Sequence, residues 1–209
     1  MINAYADHGM GKESLLLFNE IKEKQIKPDE IILLSLLNSC GHTGMVDEAL
    51  NIYYSMYDQY GIKPNIQHMN TVVDVFARSG KLEDAEKFIK EKIDQPDIIT
   101  WTAFLGGCRI YNDIERAKWA FNEALKLDEK NGSIYILMSN IYALNGREED
   151  VIQIRNLMKE KGIKAIPGQT WITINNKIET FIANDDLNNF EEELKNEIYK
   201  ESKSWISEI

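Results

Sequence analysis

Few residues of this chain have the types and spacing that chemistry requires. Cys40-Gly41-His42 sets a thiol and an imidazole one residue apart, and Cys108 is the second of two cysteines. A metal centre built from nitrogen and sulfur ligands needs further such residues close by. The remaining histidines, His8 and His68, are scattered. A turn in a helix hairpin accounts better for Cys40-Gly41-His42, and both cysteines read as reduced packing residues. No nucleophile-and-base set and no phosphate-binding glycine loop occurs. What recurs is a side-chain oxygen directly after proline, at Pro28-Asp29, Pro64-Asn65 and Pro96-Asp97. Proline stops one helix, and the Asp or Asn oxygen accepts the first free amides of the next.

The elements that carry these residues are spaced evenly. Gly9, Gly44, Gly80, Asn112 and Gly146 follow one another at steps of 35, 36, 32 and 34 residues. Gly and Asn both tolerate the positive φ of a tight interhelical turn. Four residues before each turn stand Tyr5, Cys40, Phe76, Cys108 and Tyr142, and five beyond it Ser14, Ala49, Ala85, Ala117 and Val151. The first column suits packing, and the mostly small second column lets two helices approach closely. Apolar residues at helical spacing fill both sides of each turn, as in Ile32, Leu33, Leu36 and Leu37 before Gly44 and Leu50, Tyr53 and Met56 after it. Self-similarity at this period predicts a solenoid of about five helix pairs. The pattern ends at Pro167-Gly168. Trp171–Ile174 and Ile178–Ile182 then read as a β-hairpin joined through Asn175-Asn176-Lys177, expected to pack on the last helix pair. From Asn188 an acidic helix is expected, with Trp205 near its end.

Composition narrows the class. Hydrophobic content of 44% and charged content of 28% fit a folded domain. No apolar run approaches the roughly 18 residues of a membrane helix. Net charge is −10, of which −5 lies in residues 184–209. Such an excess is unfavourable for long-range attraction of nucleic acid, although it does not decide whether a local groove binds it.

These residues resemble a pentatricopeptide repeat protein of the organelle RNA-editing type, the PLS/DYW class, in its C-terminal part. Gly44 to Ala49 and Gly80 to Ala85 are similar to the repeat signature. Trp101 to Arg109 resembles the first E motif, Leu137 to Ala143 with Gly146-Arg147 the second, and Lys164 to Ile172 the PG box. The resemblance implies an all-α, right-handed superhelical solenoid, tetratricopeptide-like, capped by the hairpin and a C-terminal helix. It divides the chain into repeats at 1–97, two E-motif helix pairs at 98–165, and the PG-box hairpin with its acidic helix at 166–209. Met1 then falls at position seven of its repeat, so the first repeat is expected to lack its opening residues.

Proteins of this family read one base per repeat with two or three side chains. By the family alignment the pairs are Leu34 with Asn65 and Asn70 with Asp97, while Asp29 is the partner of a residue before Met1. Asn70 with Asp97 resembles a combination that prefers uridine over cytidine. Leu34 cannot hydrogen-bond a base and would mark a spacer repeat. The plain alternative is that Asp97 only caps its helix and Asn70 is a solvated polar residue. Thr102 and Asn131 hold the corresponding places in the E motifs, which in the family more often bind protein. The zinc deaminase that often ends such proteins needs His-x-Glu and Cys-x-x-Cys, and neither motif is present.

The expected function is sequence-specific binding of single-stranded RNA, positioning a cytidine for C-to-U editing by a deaminase outside this stretch. The expected partners are single-stranded RNA and a deaminase-bearing protein or editing cofactor, with no membrane, no cofactor, no metal and no catalytic residue. The resemblance implies a mitochondrial or plastid location. A protein-interaction scaffold of the same fold, or an RNA processing or stability factor, are the alternatives.

Overall fold

The computed structural model describes residues 2–163 and the two strand segments 169–174 and 177–182. Ten helices precede the strands. They are α1 (Ile2–Asp7), α2 (Gly11–Glu23), α3 (Glu30–Thr43), α4 (Val46–Asp58), α5 (Ile66–Arg78), α6 (Leu82–Lys92), α7 (Ile98–Tyr111), α8 (Ile114–Leu127), α9 (Gly132–Leu144) and α10 (Glu148–Glu160). Contacts divide the chain into two units, 1–165 and 166–209.

The helix ends follow from the punctuation. Asp29 Oδ1 accepts from Ile32 N at 2.8 Å, Asn65 Oδ1 from Gln67 N at 3.0 Å, and Asp97 Oδ1 from Thr100 N at 2.9 Å. Each satisfies an amide that has no intrahelical partner. At the other end, Gly9, Gly44, Gly80, Asn112 and Gly146 all adopt positive φ, between 56° and 77°. The residue after each turns its N–H back to a carbonyl five positions earlier. Met10 bonds to Tyr5, Met45 to Cys40, Lys81 to Phe76, Asp113 to Cys108 and Arg147 to Tyr142, all at 2.9–3.0 Å. This is the Schellman closure. The column ahead of each turn therefore has a backbone role as well as a packing one. Helix α3 runs on to Thr43, so Cys40, Gly41 and His42 lie in its last turn, and the bend begins only at Gly44. The sequence pattern gives the turn as Gly41 to Gly44, of which only Gly44 proves to be outside the helix. Gly41 needs no positive φ, and the αL residue is what stops the helix.

The odd-numbered helices stack on one another in one layer, α1 on α3, α3 on α5, α5 on α7 and α7 on α9. Helices α2, α4, α6 and α8 each pack on their own partner and on the next odd helix, and α10 packs on α9. Helices α3, α7 and α9, packed on layer neighbours and on even helices, are apolar over most of their surface, whereas α5 keeps a polar face with Gln67, Asn70, Thr71 and Asp74. Leu33, Leu36, Leu37 and Cys40 of α3 are fully buried, as are Ile134, Tyr135, Met138 and Ile141 of α9. The even helices face solvent and carry a single apolar stripe. Ser14, Ala49, Ala85 and Ala117 are fully buried in that stripe. Odd helices approach closely at Gly107 of α7, where an added Cβ would stand 2.6 Å from Ala77 Cβ and 2.8 Å from Ala77 O.

In the second unit, β1 (Gln169–Ile174) pairs antiparallel with β2 (Lys177–Ile182), with Ile174 opposite Lys177. The hairpin expected over 171–182 is formed, two residues longer at its start. The PG-box residues 164–168 and the acidic helix expected from Asn188, with Trp205, lie outside the described residues.

Burial pushes the Cys40 and Cys108 thiols up to about 12, with Glu48 adding to the effect at Cys40 and Asp113 at Cys108. A thiol whose folded pKa is raised stabilises the fold fully below its ordinary value of 9.0, and that contribution is lost as pH rises towards about 12. Iodoacetamide at pH 8 should therefore leave both cysteines unmodified until denaturant is added, and the Tm should fall above about pH 9. Labelling of the native chain at the rate of free cysteine would contradict the packing described.

Candidate RNA interface

The exposed face of the odd-helix layer carries a groove of about 620 Å³, spanning α3, α5 and α7. Repeat equivalence explains its lining. Leu34, Asn70 and Thr102 occupy one position on successive repeats and all line it. One turn further along each helix the equivalent residues Asn38, Asp74 and Gly106 line it as well. A second depression continues the face over α9, beside Asn140 and Leu144.

The structure brings Asn70 and Asp97 together although they are 27 residues apart. Asn70 Nδ2 donates to Asp97 Oδ1 at 3.0 Å. Asn70 is 5% exposed, so it is not a solvated polar residue. Its Oδ1 accepts from the Thr100 hydroxyl at 2.5 Å. Asp97 is also the cap of α7, bonded to Thr100 N, so capping and pairing use the same oxygen. None of the described bonds uses Asp97 Oδ2 or the second amide N–H of Asn70.

The other expected positions behave differently. Leu34 is half-buried and brings no polar atom to Asn65. Asn65 is exposed and caps α5, with His68 Nδ1 2.7 Å from its Oδ1 and His68 Nε2 3.0 Å from the Glu30 carbonyl. Asp29 is exposed and caps α3. Thr102 spends its hydroxyl proton on the Ile98 carbonyl of its own helix, at 2.7 Å. Asn131 stands at the N-cap of α9 without a side-chain bond.

Several lining residues escape a reading confined to repeat-start positions. The Thr71 hydroxyl, which donates to the Gln67 carbonyl at 3.0 Å, lies 3.3 Å from Asn38 Oδ1 across α3 and α5, and Arg78 is bonded to Asp74 at 2.7 Å. Arg109 is exposed beside them. The signal was available, because 38, 74, 106 and 140 keep the same steps as 34, 70 and 102. Towards α9 the face becomes apolar, with Ile99, Ile110 and Leu144 exposed by 52–64%. Among the described residues no group of three or more His, Cys, Asp or Glu side chains is arranged to hold a metal ion. No described helix is long and apolar enough to cross a membrane.

Comparison with known proteins gives a consistent picture. The model of the PPR repeat matches residues 1–26, 31–59 and 68–94, and that of the E motif matches 111–173. A mitochondrial pentatricopeptide repeat-containing protein of Arabidopsis thaliana is 37% identical over 185 residues, which are 88% of this chain and 24% of that relative. The chloroplastic relative ELI1 of the same plant is 40% identical over 186 residues, 88% of this chain and 29% of its own. The chain thus spans about a quarter of the length of the curated relatives it matches. The crystal structure of the maize pentatricopeptide repeat protein PPR10 superposes with a TM-score of 0.63 at 20% identity, over 80% of this chain and 24% of that one. PPR10 in complex with an 18-nt psaJ RNA element gives the same TM-score at 22% identity, over 79% of this chain and 25% of that one. At these identities the likeness carries the fold.

Proposed function

The chain belongs to the pentatricopeptide repeat family, and from that premise we propose that residues 2–163 bind single-stranded RNA along the groove of α3, α5 and α7. The observation that carries this reading is the bond between Asn70 and Asp97. It joins a groove-lining amide to a carboxylate across a repeat boundary, in a row of equivalent positions. A donor and an acceptor held side by side fit the Watson–Crick edge of an unpaired base, which duplex RNA does not offer. Leu34, one repeat earlier, supplies contact without discrimination. Beyond the groove, over α9, the exposed Leu144 favours a protein partner over a base.

The finer reading is C-to-U editing in a mitochondrion or plastid. The repeats would hold the transcript while a deaminase, or the cofactor that recruits it, acts on a cytidine fixed at a set distance. Tethering of this kind raises the effective concentration of one base at the active site. Relatives named as mitochondrial and chloroplastic support the organellar location.

The test is fluorescence anisotropy with labelled single-stranded and duplex RNA, at low and moderate salt. Single strands should bind more tightly than duplex. The affinity should fall only gently with salt, since Arg78 is already paired with Asp74 and Arg109 is the exposed cation beside it. Equal binding of duplex, or no binding of single strands at low salt, would remove the reading for this stretch of chain.

A further inference from the structure

Asn70 and Asp97 do not meet alone. Thr100, fully buried on the first turn of α7, closes a ring around them. Its hydroxyl lies 2.5 Å from Asn70 Oδ1 and 3.1 Å from Asp97 Oδ1, and it receives the Asp97 N–H at 3.1 Å. The single hydroxyl proton goes to Asn70, because that contact is the shorter. Asp97 Oδ1 is moreover already occupied by Thr100 N and Asn70 Nδ2. The carboxylate can only accept, so the nitrogen end of the amide must face it, and the oxygen end must face the hydroxyl.

Amide orientation matters for reading a base. Uracil carries a proton at N3 and an acceptor oxygen at position 4, whereas cytosine carries a lone pair and a donor amino group there. An amide free to turn over exchanges donor for acceptor and matches either base. One held at both ends cannot.

We infer that Thr100 is a positioning residue of the base-reading site: its hydroxyl holds the Asn70 amide in one orientation and thereby sets the discrimination between uridine and cytidine. This rests on the RNA reading proposed above. The other repeat boundaries lack the device. The residue at the same place in α3 is Ile32, which has no polar side-chain atom. In α5 it is His68, which engages Asn65 and the Glu30 carbonyl but not Leu34.

Two readouts on the whole chain test this. The first needs no RNA. In proton–nitrogen spectra the Asn70 side-chain NH2 pair should be well separated and slow to exchange in the wild type and in Thr100→Ser. In Thr100→Val, which is isosteric but lacks the hydroxyl, it should move and exchange faster. The second is the ratio of affinities for short oligouridylate and oligocytidylate. Thr100→Val should reduce that ratio by about 2- to 10-fold, the range expected for one hydrogen bond, and Thr100→Ser should restore it. Circular dichroism shows whether the valine variant is folded, and Thr100→Ala, which also lacks the hydroxyl, carries the comparison with Thr100→Ser if it is not.

An Asn70 amide unchanged in Thr100→Val overturns the inference and leaves RNA reading intact. So does a changed amide with an unchanged ratio, provided Asn70→Ala abolishes the preference. If Asn70→Ala leaves binding and preference untouched, RNA reading through this pair fails and the inference falls with it.

Discussion

Gly107→Ala should destabilise the chain by about 2–3 kcal/mol in urea unfolding, in the upper part of the range for overpacked cores. Intrinsic helix propensity argues the other way, favouring alanine by about 1 kcal/mol. Packing wins because the new Cβ would stand 2.6 Å from Ala77 Cβ and 2.8 Å from its carbonyl oxygen. Those atoms belong to the facing helix backbone and its first side-chain atom, so no rotamer change removes the overlap. Helices α5 and α7 must move apart, and the groove they line widens with them. Gly106→Ala is the internal control. It sits one residue away on the same helix with nothing within 4 Å of an added Cβ. There the propensity term acts alone, and a gain of about 0.5–1 kcal/mol is expected. Equal stability of the two variants would refute the close approach at Ala77.

Asn70→Ala should weaken binding of uridine-rich single-stranded RNA by about 10-fold, the scale of a hydrogen bond made within a charge-assisted network. The fold should survive the change. With the amide gone, the Thr100 proton can turn to Asp97 Oδ1, already 3.1 Å away, so no buried donor is stranded. Thr102→Ala, at the equivalent position one repeat on, should alter affinity by less than about twofold, because its hydroxyl is bonded to its own helix at Ile98. Asp97→Ala should combine both kinds of effect. It removes the α7 cap, costing about 1 kcal/mol, as well as the bond to Asn70. Comparable RNA affinity for wild type and Asn70→Ala, in the same anisotropy titration, would count against base reading through this pair.

Much of the architecture was legible in the sequence because its causes are local. Asp29, Asn65 and Asp97, each directly after a proline, cap the next helix within three residues, although the helices before them have already ended at Glu23, Asp58 and Lys92, short of the prolines. Gly44 and Asn112 close their helices through bonds spanning five residues. These are backbone requirements that residue type and spacing announce directly. The stacking that buries Ala49, Ala85 and Ala117 also follows from the repeat, since each unit meets the same neighbour in the same way.

The interior of the candidate site was not legible, for a reason particular to its residues. Whether Asn70 is a solvated polar group or part of a bonded ring depends on how α7 sits against α5, and no local pattern encodes that. The same register brings Thr100 under the amide and Gly107 onto Ala77. Position in the repeat therefore decided which residues could face the groove, while the tertiary packing of two helices decided that Asn70, Asp97 and Thr100 share one set of hydrogen bonds. Local backbone chemistry is written into residue type, but the distance between side chains about 30 residues apart is set by where neighbouring helices can close without overlap.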